Sequence, residues 1–580
     1  MDQSASFFRV ATYEELRAKG VIVVQGKDRP IAVYEHDGKV SAVDNRCPHL
    51  GFPLHKGTVK DGILTCHWHQ ARFDLCSGCT FDLFADDIPG FETRVENGEV
   101  LVAHMPRERA DEAYHLRRLH KGMEQNIGLL QAKSLIGLLK TPNASVPEII
   151  RDIVRYGTQN QNVPGGFTEL TIAGNLQKVA TQETQYYLLL RASQQIAGAS
   201  RNSKRQVREP LSGKDYPFET LKRWFYQWVQ GRDRDGAERV LLTAVEQNMP
   251  REQLAELVFG AISERIYCDT GHIFDFANKC FELLDQIGWN LAGDLLPLAV
   301  NGIVSARGTE ENSNWHYPLE IVAPLRAIER DLPRILSEGK GKTWKAGTTL
   351  NTVLLGEDPL AILEALKTAL AAGAPPAELS KRVCYTAALR LARFAKANEV
   401  GDWFNPQHTF IYANAVHQAL KRSTAPDVVR AIFHAALSVY MDRFLNVPPA
   451  KLPSEGGSLE HLPTDAKALR DLLTEQLNEQ SRIDDTARTI SRYVTLKHPI
   501  APLFDTLAYV TVREDLDFHT LQVLEAGYQH YHEWEGQPEA EHILVGVIRD
   551  LAAFCPTPRA RLRTAVTALR LHHGDHIFEE

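Results

Sequence analysis

Two short segments gather side chains that bind metals. Cys47-Pro48-His49 is followed, after sixteen intervening residues, by Cys66-His67-Trp68-His69. Each segment offers one thiol and one imidazole, spaced C-x-H and C-x2-H. Two facing loops of this kind can close a cage in which two thiolates hold one iron of a [2Fe–2S] cluster and two neutral imidazoles hold the other. The competing chemistry is a Cys2His2 zinc site, but zinc fingers pair Cys with Cys and His with His. Here each half mixes them, which favours the cluster on Cys47, His49, Cys66 and His69. Cys76 and Cys79 follow as C-x2-C and read as ordinary loop cysteines in preference to a labile dithiol.

A second set of histidines recurs in similar surroundings. His272 lies in DTGHIFDFANKCFELLD, His408 in NPQHTFIYANAVHQALK and His519 in DLDFHTLQVLEAGYQHY. In each, the imidazole follows a polar break and opens an amphipathic helix. The likeness extends upstream: 257–272 aligns without gaps to 504–519, and 242–258 aligns to 367–383. Related helix-pair units set around one axis would bring equivalent positions together, so three imidazoles could meet on one metal, and imidazole suits Fe, Zn, Cu and Ni alike. His316, in NWHYP, is the next candidate. His417 and His434 read as packing or supporting groups. Glu282, Glu525, Asp275 and Asp517 could ligate or orient an imidazole, while Glu310 and Glu311 read as surface acids.

The elements that must position these residues differ along the chain. Residues 5–105 hold short Val/Ile-rich runs (VIVVQ, PIAVYE, VLVAHM) punctuated by HDGK, KDG and ENGE, the pattern of strands and tight turns. Beyond about residue 110, apolar residues recur at three- and four-residue spacing. The expected architecture is multidomain α+β: a small all-β domain over 1–108, then an all-α domain of repeated helix pairs over 109–580 that holds a second, non-haem metal site.

The segment 5–105 resembles the Rieske ferredoxin and Rieske oxygenase type of domain. The resemblance rests on C-P-H-L-G at 47–51, C-x2-H at 66–69 and Phe73-Asp74. Respiratory Rieske proteins carry an extra disulfide, and the matching positions here are Phe52 and Trp68. Its absence implies the lower part of the Rieske potential range. Where such domains have Gly after the second ligand His, this chain has Gln70. The helical part is similar to the questin-oxidase-like family, through GHIFDFANK, HTFIYANAVH and DFHTLQVLEA. That resemblance implies a non-haem iron that uses O2, with His272, His408 and His519 as first candidate ligands and His316 after them. Asp269-x2-His272 begins the D-x2-H-x4-H pattern of Rieske oxygenases, but position 277 is Ala, and the all-helical texture argues against that catalytic domain.

The chain has 580 residues, a net charge of −8, and 44% apolar and 24% charged residues. Nothing in that balance points to nucleic acid or an anionic membrane as partner. No apolar run approaches the roughly 20 residues that span a bilayer. The N-terminus lacks a basic-then-apolar leader, so the expected location is cytoplasmic. The basic stretch 201–209 reads as an exposed loop. No G-x-G-x-x-G follows a strand, so an external reductase or ferredoxin would supply electrons. Together these readings describe an iron-dependent oxygenase (dioxygenase or monooxygenase) or oxidase. Its Rieske cluster would deliver electrons to a non-haem iron that oxidises a small organic, aromatic-type substrate with O2. The alternative is an electron-transfer or redox-sensing protein whose helical repeats form a binding scaffold. A homo-oligomer is compatible with either.

Overall fold

The computed structural model describes residues 6–107, 111–141, 145–160, 165–201, 207–213, 215–345, 347, 349–445 and 448–573. The centre of the basic stretch, 202–206, lies outside them. The chain divides into two compact units, residues 1–145 with 560–580, and residues 146–559.

The first unit is built on a six-stranded antiparallel sheet. Its strands are β1 (Phe7–Thr12), β2 (Val21–Gln25), β3 (Pro30–His36), β4 (Lys39–Asp44), β8 (Gly90–Glu96) and β9 (Glu99–Pro106), in the order β1-β9-β8-β4-β3-β2. A smaller sheet, β5 (Thr58–Lys60), β6 (Ile63–Thr65) and β7 (Arg72–Asp74), lies between β4 and β8 in the chain. Three hairpins turn on Asp37-Gly38, Asp61-Gly62 and Asn97-Gly98, each pair with φ between 50° and 79°. Two successive left-handed residues make the type I′ turn that matches strand twist, which is why Asp/Asn-Gly recurs at these points.

Strand β3 explains how one sheet serves two cores. Side chains alternate faces along a strand. Ile31 and Val33 pack with Leu16 of helix α1 (Tyr13–Lys19) and with Ala42, Phe91, Val100 and Val102. Ala32 and Tyr34 pack on the other face with Val43, Leu54, Leu64, Phe73, Cys47 and Cys66. The thiols are therefore set into a hydrophobic core, not appended to a surface.

The strands end at Pro106, close to the expected limit at 108, but the compact unit extends further. It takes in α2 (Glu112–Glu124), α3 (Gly128–Lys140) and the chain's last described helix, Ala560–His573. The physical reason is apolar surface. Leu130, Leu135, Ile136 and Leu138 of α3 are buried, and the last helix packs on α3 with Ala565 and Ala568 buried.

All regular elements among the described residues of the second unit are helices. Each histidine segment lies in a helix that follows another across a short break. Arg251–Ile262 precedes His272–Ile287, Pro376–Ala392 precedes Phe404–Leu420, and Ile500–Arg513 precedes Phe518–Glu533. His272 and His519 open their helices as expected. His408 sits one turn in, because a short turn over Val400–Trp403, capped by Glu399 and Asp402, starts that helix earlier.

Candidate metal centres

The two cysteine loops share one backbone design. The Cys47 N–H donates to the Phe52 carbonyl at 2.8 Å, and the Gly51 N–H returns to the Cys47 carbonyl at 2.6 Å. In the second loop the Cys66 N–H donates to Ala71 at 2.8 Å, and the Gln70 N–H returns to Cys66 at 3.0 Å. Both loops thus close on their own cysteine. Cys47 and Cys66 are 2% and 1% exposed, and their thiols are close enough to hydrogen-bond to each other. The His49 and His69 rings lie 4.8 Å apart, edge to face. Burial and the neighbouring His69 push His49 down to about 4, so it is neutral at pH 7. His49 Nδ1 is buried with no hydrogen-bond partner, a costly state for a polar atom that a metal bond would relieve. His67, the other imidazole of the motif, contacts Thr58 Oγ1 at 3.1 Å instead.

The second centre comes together from three distant segments. His408 Nε2 lies 3.0 Å from His519 Nε2, which lies 3.5 Å from His272 Nε2. One nitrogen from each ring falls within 4.8 Å of the others, and among the described residues this is the one such group able to hold a single ion. Burial and the adjacent imidazoles depress His272 to about 4 and His408 to about 3. Neutral rings with converging lone pairs are the form that binds a metal. Asp517 Oδ1 stands 2.9 Å from His519 Nδ1 and also caps the helix by accepting the His519 N–H at 3.0 Å. The Nδ1 contact is one of charge and proximity, without hydrogen-bond geometry, while the His519 Nε2 faces the other two rings. Each imidazole is backed by a phenylalanine. Phe276 stacks on His272 at 5.5 Å, Phe518 on His519 at 4.2 Å, and Phe404 on His408 at 6.2 Å.

Comparisons with known proteins bear on the first centre. Residues 6–87 match the Rieske [2Fe-2S] domain family. The ferredoxin component of the naphthalene 1,2-dioxygenase/salicylate 5-hydroxylase systems from Ralstonia sp is 30% identical over 95 residues, 16% of this chain and 89% of that protein. The N-terminal part of this chain belongs to the Rieske [2Fe–2S] domain family. The ferredoxin component of the Pseudomonas putida naphthalene 1,2-dioxygenase system is 30% identical over 82 residues, 14% of this chain and 77% of that protein. The solved ferredoxin of carbazole 1,9a-dioxygenase from Nocardioides aromaticivorans IC177 is 24% identical, covering 17% of this chain and 98% of that one, with a TM-score of 0.17.

The side chains of the Rieske domain fit the cluster its family name implies. The four candidates do not gather as a single-ion group. Thiol lies by thiol and imidazole by imidazole, the pairing that two irons require and one tetrahedral zinc does not. The Rieske domain also has a support that its motif does not announce. Phe84 meets the His49 ring edge-on at 5.0 Å.

Other expected residues lie elsewhere. His316 does not join the triad: its Nδ1 contacts Glu320 at 2.6 Å and its Nε2 the Glu310 carbonyl at 2.6 Å, so both ring nitrogens are taken. Glu282 and Glu525 turn to Lys279, whose Nζ lies 2.9 Å from Glu282 Oε2 and 2.7 Å from Glu525 Oε2. The charge of that fully buried lysine claims them. Asp275, one turn beyond His272, is fully buried and bonded by the Gln522 amide; burial raises it to about 7. Asp550, not singled out from the sequence, is paired with the Gln407 amide at 3.1 and 3.0 Å, and burial raises it to about 8. His434 bonds Glu329 at 2.6 Å and His417 bonds Glu533 at 2.8 Å. Of the aromatic residues close in sequence to the candidate histidines, Phe276 reaches the centre. Phe274, Phe410 and Tyr412 are core, and Tyr317 is exposed. Sequence reasoning missed Phe404 and Phe518. Their spacing, one turn before His408 and one residue before His519, was the available signal.

Proposed function

We propose that this protein is an iron-dependent oxidoreductase. In this reading Cys47, Cys66, His49 and His69 hold the Rieske cluster, and His272, His408 and His519 hold a non-haem iron. The observation that carries it is the convergence of three imidazole Nε2 atoms from three separate helices. When bound, the cluster supplies one electron at a time and the second iron supplies a site for O2-dependent oxidation of an organic substrate.

The residues of the chain do the rest. Asp517 caps the helix of His519 and sets its carboxylate beside the Nδ1 side of the ring, which orients Nε2 toward the centre. Phe276, Phe404 and Phe518 exclude water from the ring faces and present an apolar wall to a substrate. Similarity to ferredoxin components of naphthalene dioxygenase systems supports an aromatic-type substrate and an external reductase as electron source. The helical unit would then resemble the questin-oxidase-like enzymes in its use of iron.

The test is iron, zinc and acid-labile sulfide per chain on anaerobically purified protein. The expected result is about three iron and two sulfides. His408→Ala should lose the additional iron and keep the sulfide. Two iron in the parent protein, or a variant that keeps every iron, would overturn the second centre and leave an electron carrier.

A further inference from the structure

Helix α3 lies beyond the residues that match the Rieske family, yet it sends a cation to the first ligand loop. The Lys133 ammonium donates to the Pro48 carbonyl and stands 3.4 Å from the His49 carbonyl. It also lies 3.2 Å from Asp86 Oδ2. Asp86 is shared: Arg118 of α2 donates to its other oxygen at 3.0 Å and to the Ala85 carbonyl at 2.6 Å. Two cations therefore face one carboxylate beside the loop. Arg46, next to Cys47, is by contrast bonded twice by Asp44, at 3.1 and 2.9 Å.

We propose that Lys133 is a tuning residue of the Rieske cluster, raising its reduction potential from outside the Rieske domain proper. The inference rests on the ligand assignment above. Reduction adds one negative charge to the cluster, so a fixed positive charge nearby stabilises the reduced form more than the oxidised one. The Lys133 side chain is only 16% exposed, so solvent and salt screen it less than a surface lysine. Its bonds also draw electron density from the peptide carbonyls on either side of the His49 backbone. Asp86 opposes this field and keeps the ammonium in place. The sequence between Phe84, which packs on His49, and Asp86 ties that opposing charge to the same ligand.

Redox titration of the full-length protein, followed by its visible circular dichroism at one pH, tests the proposal with three variants. Lys133→Met should shift the midpoint potential downward with iron and sulfide unchanged. Lys133→Arg should hold the parent value. Asp86→Asn should shift it upward. An unchanged potential in Lys133→Met with the cluster intact overturns the proposal. So do shifts of the same sign in Lys133→Met and Asp86→Asn, which would indicate loop distortion, or an equal drop in Lys133→Arg. Where Lys133→Met fails to load its cluster, Asp86→Asn decides alone: a rise supports the proposal, and no rise overturns it. Parent protein without labile sulfide would instead remove the ligand assignment itself.

Discussion

Cys47 and Cys66 are each followed four residues later by a left-handed backbone, Gly51 at φ 84° and Gln70 at φ 60°. That conformation lets each loop fold back on its own cysteine. Glycine adopts it freely, whereas a side chain pays roughly 1–2 kcal/mol. The substitution noted in the sequence at position 70 is thus a local strain, eased by the Gln70 amide reaching the His67 carbonyl at 3.3 Å. Gln70→Gly should raise the stability of the Rieske domain by up to about 1 kcal/mol, measured as a later loss of cluster absorbance on heating. Earlier loss would mean that the amide contact outweighs the strain.

At the scale of elements, the His272 helix is aimed by an unusual entry. Tyr267, Asp269, Thr270 and Gly271 all have positive φ, between 44° and 91°. Such strain, about 1–3 kcal/mol per ordinary residue, persists where surrounding packing enforces it. Here a Cβ on Gly271 would lie 2.6 Å from the Tyr412 Cβ, so the helix can close on the Phe404–Leu420 helix, which bears His408, through glycine alone. Gly271→Ala should destabilise the helical unit by roughly 2–4 kcal/mol and lower its metal content, with the Rieske cluster retained. Unchanged unfolding and metal content would show that the entry has no such role. The His272 helix is also tied to the Phe518–Glu533 helix, by Lys279 held between Glu282 and Glu525. Lys279→Met strands two buried carboxylates and should cost about 3–5 kcal/mol in denaturant unfolding, with partial recovery when Glu282→Gln and Glu525→Gln are added. Asp550 adds a pH dependence. Folded, it keeps its proton up to about 8, against 3.8 ordinarily, because burial disfavours its charge. The folded state then binds more protons than the unfolded state across that window, so stability declines as pH rises through it. Asp550→Asn should flatten this part of the stability profile; parallel parent and variant curves would contradict the assignment.

At the scale of the whole molecule, the last described helix belongs to the unit that holds the N-terminal sheet. Removing residues 560–580 should therefore uncover α3 and hasten loss of the Rieske cluster, while the unfolding of unit 146–559 is little changed; the reverse result would contradict the division. This return of the chain was not legible in the sequence, because an amphipathic helix shows which face it buries and not what covers it. The Rieske motif was legible because its ligands are close in sequence and two turn-bounded loops bring them together. The strands and their Asp/Asn-Gly turns were legible for the same local reason. The three histidines were visible as similar local patterns, yet His272, His408 and His519 are separated by more than a hundred residues at each step. His316 looked comparable, and Glu282 and Glu525 looked available. Helix packing decided otherwise: it brought three Nε2 atoms together, left His316 bonded to Glu320, and gave both glutamates to Lys279. The sequence by itself determined the chemistry of the local loops and the types of the elements. The tertiary structure alone decided which distant side chains meet, because that choice depends on the burial and charge of residues that no spacing rule connects.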